Sequence, residues 1–260
     1  MYPTLFTLFG VPIQSYGVSK ALAAVVAIFL LGREFRRLGW DPNVATNVVV
    51  ATTVGGFAGA KVYYLAEHAH SLTLHDFGGS GFTWYGGFLA GLAVFVVMAR
   101  RNGLPFGQLA AAAAVPMSVA YGIGRLGCLL AGDGTYGTPT DLPWGMAFPH
   151  GVVPTVVPVH PTPLYEAVAA FAIAGVLWSL RRRWRPAAVI GSYAVLTGAA
   201  RFLVEFVRVN DDIVLGLTQP QLWSIALMIA GAVLLTRSRW TSDRRVDQAG
   251  IAAGPEDRRG

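Results

Sequence analysis

Residues 121–145 read YGIGRLGCLLAGDGTYGTPTDLPWG. The stretch begins inside an apolar run and ends in a loop, so its reading turns on where a membrane lies. Arg125 sits in a segment that otherwise has the composition of a membrane helix. A charge at that depth is costly and marks a functional site by default. Gly122, Gly124 and Gly127 surround it, and Gly132, Gly134 and Gly137 follow with Asp133 among them. Glycine admits special dihedrals and close approach of a ligand. A guanidinium, a carboxylate and a permissive backbone together suit an anionic headgroup.

Composition supports a membrane setting. Of the 260 residues, 54% are hydrophobic and 13% charged, against about 25% charged in soluble domains. Mean hydropathy is +0.51. The single cysteine, Cys128, excludes an intramolecular disulfide and a thiolate metal cluster. The five histidines show no H-x-x-x-H or H-E-x-x-H spacing, so no metal site and no cofactor are expected. In so apolar a chain the net charge of +6 points to loops on the cytoplasmic side of a membrane and not to nucleic acid.

Working outward, apolar spans fall at about 15–31, 44–66, 84–99, 108–130, 163–180, 187–206 and 220–236, each near the ~20 residues needed to cross a bilayer core. The expectation is an all-α polytopic membrane protein of about seven transmembrane helices. Basic clusters follow the first, third, fifth and seventh spans: Arg33, Arg36 and Arg37; Arg100 and Arg101; Arg181, Arg182, Arg183 and Arg185; and Arg237 onward. The positive-inside rule then places the N-terminus outside and the C-terminus in the cytoplasm. Lys20 and Lys61 fall near outer helix ends, where such side chains snorkel.

The first residues, MYPTLFTLFGVPIQSYG, lack the basic start and cleavage pattern of a signal peptide and read as an outer-leaflet amphipathic segment. Tyr16 opens the first helix as an interfacial anchor. The small residues of GGFAGAK, Gly55 to Lys61, suit close helix packing. Trp84 and Tyr85 sit where belt aromatics belong, and the following Gly86-Gly87 pair at a helix entrance leaves amides for an anion or lipid headgroup. The proline-rich stretch 131–162 reads as an external cap, after which Glu166 enters a span and needs a partner. Arg201, Glu205 and Arg208 lie at i, i+4 and i+7 on one helical face. That spacing permits an intrahelical ion pair, yet two arginines over one acid, with Arg125 added, leave a positive excess suited to phosphate. Residues 241–260 are polar and read as a disordered cytoplasmic tail.

Five motifs in order carry a resemblance: Tyr16-Gly17, YGGFLAG from Tyr85, GRLG from Gly124, HPTPLYE from His160, and RFLVEFVR from Arg201. Over about residues 10–236 the chain resembles the prolipoprotein diacylglyceryl transferase family of bacterial inner-membrane enzymes. The resemblance implies one transmembrane catalytic domain over 1–240. It implies transfer of the diacylglyceryl group of phosphatidylglycerol to the lipobox cysteine of a prolipoprotein signal peptide, with glycerol phosphate leaving. It assigns Arg201, Tyr85 and Glu205 to catalysis, and Arg125, Tyr16, Gly86, Gly87, Asp133, Glu166 and Arg208 to substrate binding. The partners it implies are phosphatidylglycerol, the prolipoprotein and membrane lipids.

The chain departs from the family pattern at four places. Tyr85 stands for a histidine, Cys128 for an asparagine, Asp133 for a glutamate and Thr197 for a tyrosine. The first matters most, because histidine is a ready base near neutral pH, whereas an unperturbed tyrosine titrates near 10. Two other readings stay open at this level. One is a relative that uses the phospholipid cavity for another acceptor. The other is a lipid-binding or transport protein without chemistry, although the chain shows no duplicated helical repeat.

Overall fold

The computed structural model describes residues 2–78 and 81–252. Seven α-helices run through them: Ser15–Leu38 (α1), Pro42–Glu67 (α2), Trp84–Arg101 (α3), Phe106–Ala131 (α4), Thr162–Leu180 (α5), Pro186–Glu205 (α6) and Gln219–Ala252 (α7). By length and composition six of them can cross a membrane. The seventh, α3, opens on Trp84 and Tyr85 and closes on Arg100 and Arg101, which lower its apolar content. It nonetheless lies along membrane-length α2. A Cβ added at Gly55 would stand 2.6 Å from Val94, and one at Gly59 would stand 2.1 Å from the Ala90 Cβ.

Local chemistry sets the helix ends. The first helix runs seven residues past its apolar span because Gly39, at φ 74°, is the first left-handed residue to stop it, its N–H turned back to the Arg36 and Phe35 carbonyls. The Asp41 side chain accepts from the Asn43 N–H at 2.9 Å, and Pro42 pre-sets the first turn of α2. Of the tail expected over 241–260, residues 241–252 continue α7, and 253–260 lie outside the described residues.

Strands occur outside the helices, as three two-stranded hairpins. Thr4–Leu8 (β1) and Val11–Gln14 (β2) form the first, so the expected N-terminal amphipathic segment is a hairpin. Its loop, Phe9 and Gly10, takes positive φ at both positions, as a two-residue turn between twisted strands requires. Met146–Phe148 (β3) pairs with Thr155–Val159 (β4) in the long segment between α4 and α5. Asp212–Val214 (β5) pairs with Leu217–Thr218 (β6) between α6 and α7.

Three apolar clusters hold the bundle. One joins Leu31 and Phe35 to Ala45, Val48, Ala99 and Leu109 at the arginine-rich end. A second joins Ala114 and Val115 to Ile173, Leu177 and Val189. The third, Tyr136, Phe148 and Val159, is the core of the segment between α4 and α5, where the Tyr136 and Phe148 rings stack at 4.1 Å. Outside these clusters Val25, Phe29, Val54, Leu89, Leu203 and Ile229 are exposed, as side chains facing lipid are.

Candidate active site

The ends of three helices meet opposite the arginine-rich end. Arg125 comes from the last two turns of α4, Glu166 from the first two of α5, and Arg201 and Glu205 from the last of α6, with Arg208 just beyond. Alternation of helix direction brings a C-terminus, an N-terminus and a C-terminus to one level. Glycines on α4 let it approach its neighbours. A Cβ on Gly127 would fall 2.5 Å from the Ser19 Cβ of α1, and one on Gly122 would fall 2.8 Å from the Phe171 ring of α5.

Glu166 is the hub. Its Oε1 accepts from Arg201 Nη1 at 2.9 Å and from the Tyr121 hydroxyl at 3.0 Å. Its Oε2 lies 3.1 Å from Arg125 Nε and 3.3 Å from Arg208 Nη1. Arg125 Nε also donates to the Tyr121 hydroxyl at 3.0 Å, so Tyr121 bridges arginine and acid. Glu205 is the second acid, with Oε2 at 2.8 Å from Arg201 Nη2 and 3.9 Å from Arg208 Nε. Both carboxylates are buried, Glu166 at 5% exposure and Glu205 at 2%. Buried acids without cations would be prohibitive, so the three arginines make the arrangement possible. Three guanidiniums against two carboxylates still leave one formal positive charge. Arg208 Nε is buried without a hydrogen-bond partner among the described residues.

The intrahelical pairing expected of Arg201 and Glu205 is present, and Arg201 and Arg208 also reach across to Glu166. The segment between α4 and α5 is stitched over this cluster. Thr138 N–H donates to the Val207 carbonyl at 2.8 Å and Gly137 bridges to Arg208. A Cβ on Gly137 would stand 2.1 Å from the Val207 carbonyl oxygen, so only glycine fits that approach. The Thr162 hydroxyl ties the start of α5 to the Thr135 carbonyl at 2.6 Å.

Five candidate residues therefore assemble: Arg125, Glu166, Arg201, Glu205 and Arg208. The other five make no hydrogen bond or ion pair with them among the described residues. Asp133 accepts from the Thr135 N–H and hydroxyl, at 3.1 and 2.6 Å, and so shapes the turn that leaves α4. Tyr16 lies in the first turn of α1, its ring 4.9 Å from Lys20 Nζ. Tyr85 is 41% exposed and meets the Trp84 ring edge-on. The Gly86-Gly87 pair faces α2. A Cβ on Gly86 would be 2.5 Å from the Gly59 carbonyl oxygen, and the Gly87 amide is donated to the Thr83 carbonyl.

Sequence reasoning passed over Tyr121, although its i, i+4 spacing to Arg125 put the two on one face. It also passed over Glu34, which is 1% exposed at the other end of the bundle and takes Arg181 Nε at 2.6 Å and Arg37 Nε at 2.7 Å. Among the described residues no cluster of three or more histidine, cysteine or acidic side chains could hold a metal ion.

These features define a class: a multi-pass helical membrane protein with a buried arginine–glutamate cluster under a stitched loop. A family model described as prolipoprotein diacylglyceryl transferase matches residues 3–237, and the chain belongs to that family. Among its relatives are proteins named phosphatidylglycerol–prolipoprotein diacylglyceryl transferase. The one from Geobacter sulfurreducens is 32% identical, covering 91% of this chain and 96% of the relative. That from Pseudomonas putida is 30% identical, covering 94% and 95%. That from Clostridium tetani is 30% identical, covering 80% and 86%.

Proposed function

We propose that this chain transfers the diacylglyceryl group of phosphatidylglycerol to the lipobox cysteine thiol of a prolipoprotein, and that the arginine cluster is where the transfer occurs. The relatives' name supplies the two substrates. The observation that carries the site assignment is the convergence of Arg125, Arg201 and Arg208 on one buried carboxylate, Glu166.

The chemistry follows from the charges. The substrate sulfur forms a bond to the glyceryl carbon that bears the phosphate ester. The carbon–oxygen bond breaks, and its electron pair leaves with glycerol phosphate. The thiol proton is lost to a base or to solvent. Negative charge grows on the leaving oxygen, and fixed guanidiniums in a site poor in water stabilise it without reorganisation. The surplus positive charge of the cluster matches a phosphodiester. Arginine holds phosphate through two parallel N–H bonds, and Glu166 and Glu205 keep the forks aligned in its absence. No protein nucleophile is required, because the substrate brings its own.

In this reading Arg125 and Arg201 contact the phosphate, and Tyr16 and Tyr85 lie where the acceptor peptide and the glyceryl region enter. Asp133 supports the site through the turn that leaves α4, and Gly86 and Gly87 through the packing of α3 on α2. Residues 131–162 form the cap of one catalytic domain over 1–240. The arginine-rich end lies in the cytoplasm and the cluster at the outer face of a bacterial inner membrane, consistent with the lysine and arginine bias.

The test is complementation. Cells depleted of their own diacylglyceryl transferase and given this chain should regain lipidated lipoproteins. Continued accumulation of unmodified prolipoprotein, with the chain inserted and stable, would count against the proposal.

A further inference from the structure

Glu205 is gripped from its far side by the connection that follows it. The β5–β6 hairpin turns at Leu215 and Gly216, both at positive φ, and its register sets Thr218 opposite Asp212. Thr218 immediately precedes α7 and forms a T-x-x-Q capping box with Gln221. Its N–H donates to Gln221 Oε1 at 3.0 Å, and the Gln221 N–H returns to the Thr218 hydroxyl oxygen at 3.4 Å. A hydroxyl has one proton to give. With its lone pair engaged in the cap, Thr218 gives that proton to Glu205 Oε1 at 3.0 Å. Asn210 Nδ2 donates to the same oxygen. Thr218 and Gln221 are 5% and 3% exposed.

The terminal torsion of a glutamate is broad and nearly two-fold, so a carboxylate held only by arginines can present either oxygen. Two donors on Oε1 remove that freedom and leave Oε2 towards Arg201 and Arg208, the charged groups that face it. Both donors are neutral, so the positive surplus of the cluster is preserved.

We infer that Thr218 and Asn210 are positioning residues, which fix one oxygen of Glu205 so that the other faces Arg201 and keeps it in register for the phosphate. The inference rests on the reading of the cluster as the transfer site. Through Thr218 it makes the start of α7 part of the alignment of that site.

The test uses the full chain in phosphatidylglycerol vesicles with a lipobox peptide, with kcat and KM determined separately. Asn210→Ala and Thr218→Val should each lower kcat roughly ten- to hundredfold, the range for a hydrogen bond to a charged group, with the KM for the peptide little changed. Thr218→Ser should stay within about threefold of the wild type. Gln221→Ala removes the cap alone, so it should lower thermal stability and leave kcat in place. Asn210 is exposed and outside the cap, so its variant remains informative if Thr218→Val fails to fold. A wild-type kcat in Asn210→Ala would overturn the inference. So would a Thr218→Val that behaves as Gln221→Ala does. A wild-type chain that transfers nothing would overturn the reading of the cluster itself, and the positioning role with it.

Discussion

Arg125 announces itself in the sequence because a charge inside an apolar run has few structural excuses. Its partners do not. Tyr121 and Glu166 are 45 residues apart, and only the packing of α4 on α5 brings them together. Tyr85 shows the opposite case: its motif position is legible, but its place in the fold is not. No cation or hydrogen-bond donor among the described residues touches its hydroxyl, which favours a positioning role over that of a base. Tyr85→Phe keeps the ring and removes the hydroxyl. It should cost about 1–2 kcal/mol of transition-state binding, roughly five- to thirtyfold in rate. Transfer assays across pH 6–9 check this. A loss above about a thousandfold, with Tyr85→His active at lower pH, would make Tyr85 the base.

At the scale of elements, all seven apolar spans became helices, because hydropathy and glycine or proline punctuation are local signals. What each glycine does is not local. Gly86 and Gly87, which the sequence offers as amides open to an anion or a lipid headgroup, also pack the seam between α2 and α3. Gly59→Ala would set a methyl 2.1 Å from the Ala90 Cβ and 2.7 Å from the Gly86 carbonyl oxygen. It should cost about 1–3 kcal/mol by overpacking, seen as a lower midpoint of thermal unfolding in detergent. An unchanged midpoint would mean that the seam relaxes freely. The T-x-x-Q before α7 was readable as a capping box. Its second use, as a donor to Glu205, depends on where the β5–β6 hairpin folds.

For the molecule as a whole, the two ends are chemically distinct. One end carries the arginine runs and the buried Glu34–Arg181 pair, which the sequence hides because Glu34 lies among arginines that read as topology signals. The other end carries the active-site candidates and the stitched segment. Reporter fusions after Arg101 and after Arg185 should both report cytoplasm, and an external signal at either would reverse the orientation.

The central claim is that guanidiniums aligned on Glu166 bind the phosphate and stabilise its departure. The most direct measurement is transfer in vitro, with the purified chain, phosphatidylglycerol vesicles and a lipobox peptide. The wild type should add a diacylglyceryl group to the peptide cysteine and release glycerol phosphate. Arg125→Ala, folded and inserted, should lose at least ~10²-fold, and Arg125→Lys should recover only part, because an ammonium lacks the fork. Arg125→Ala transferring at the wild-type rate, or a wild type that transfers nothing, would contradict the account.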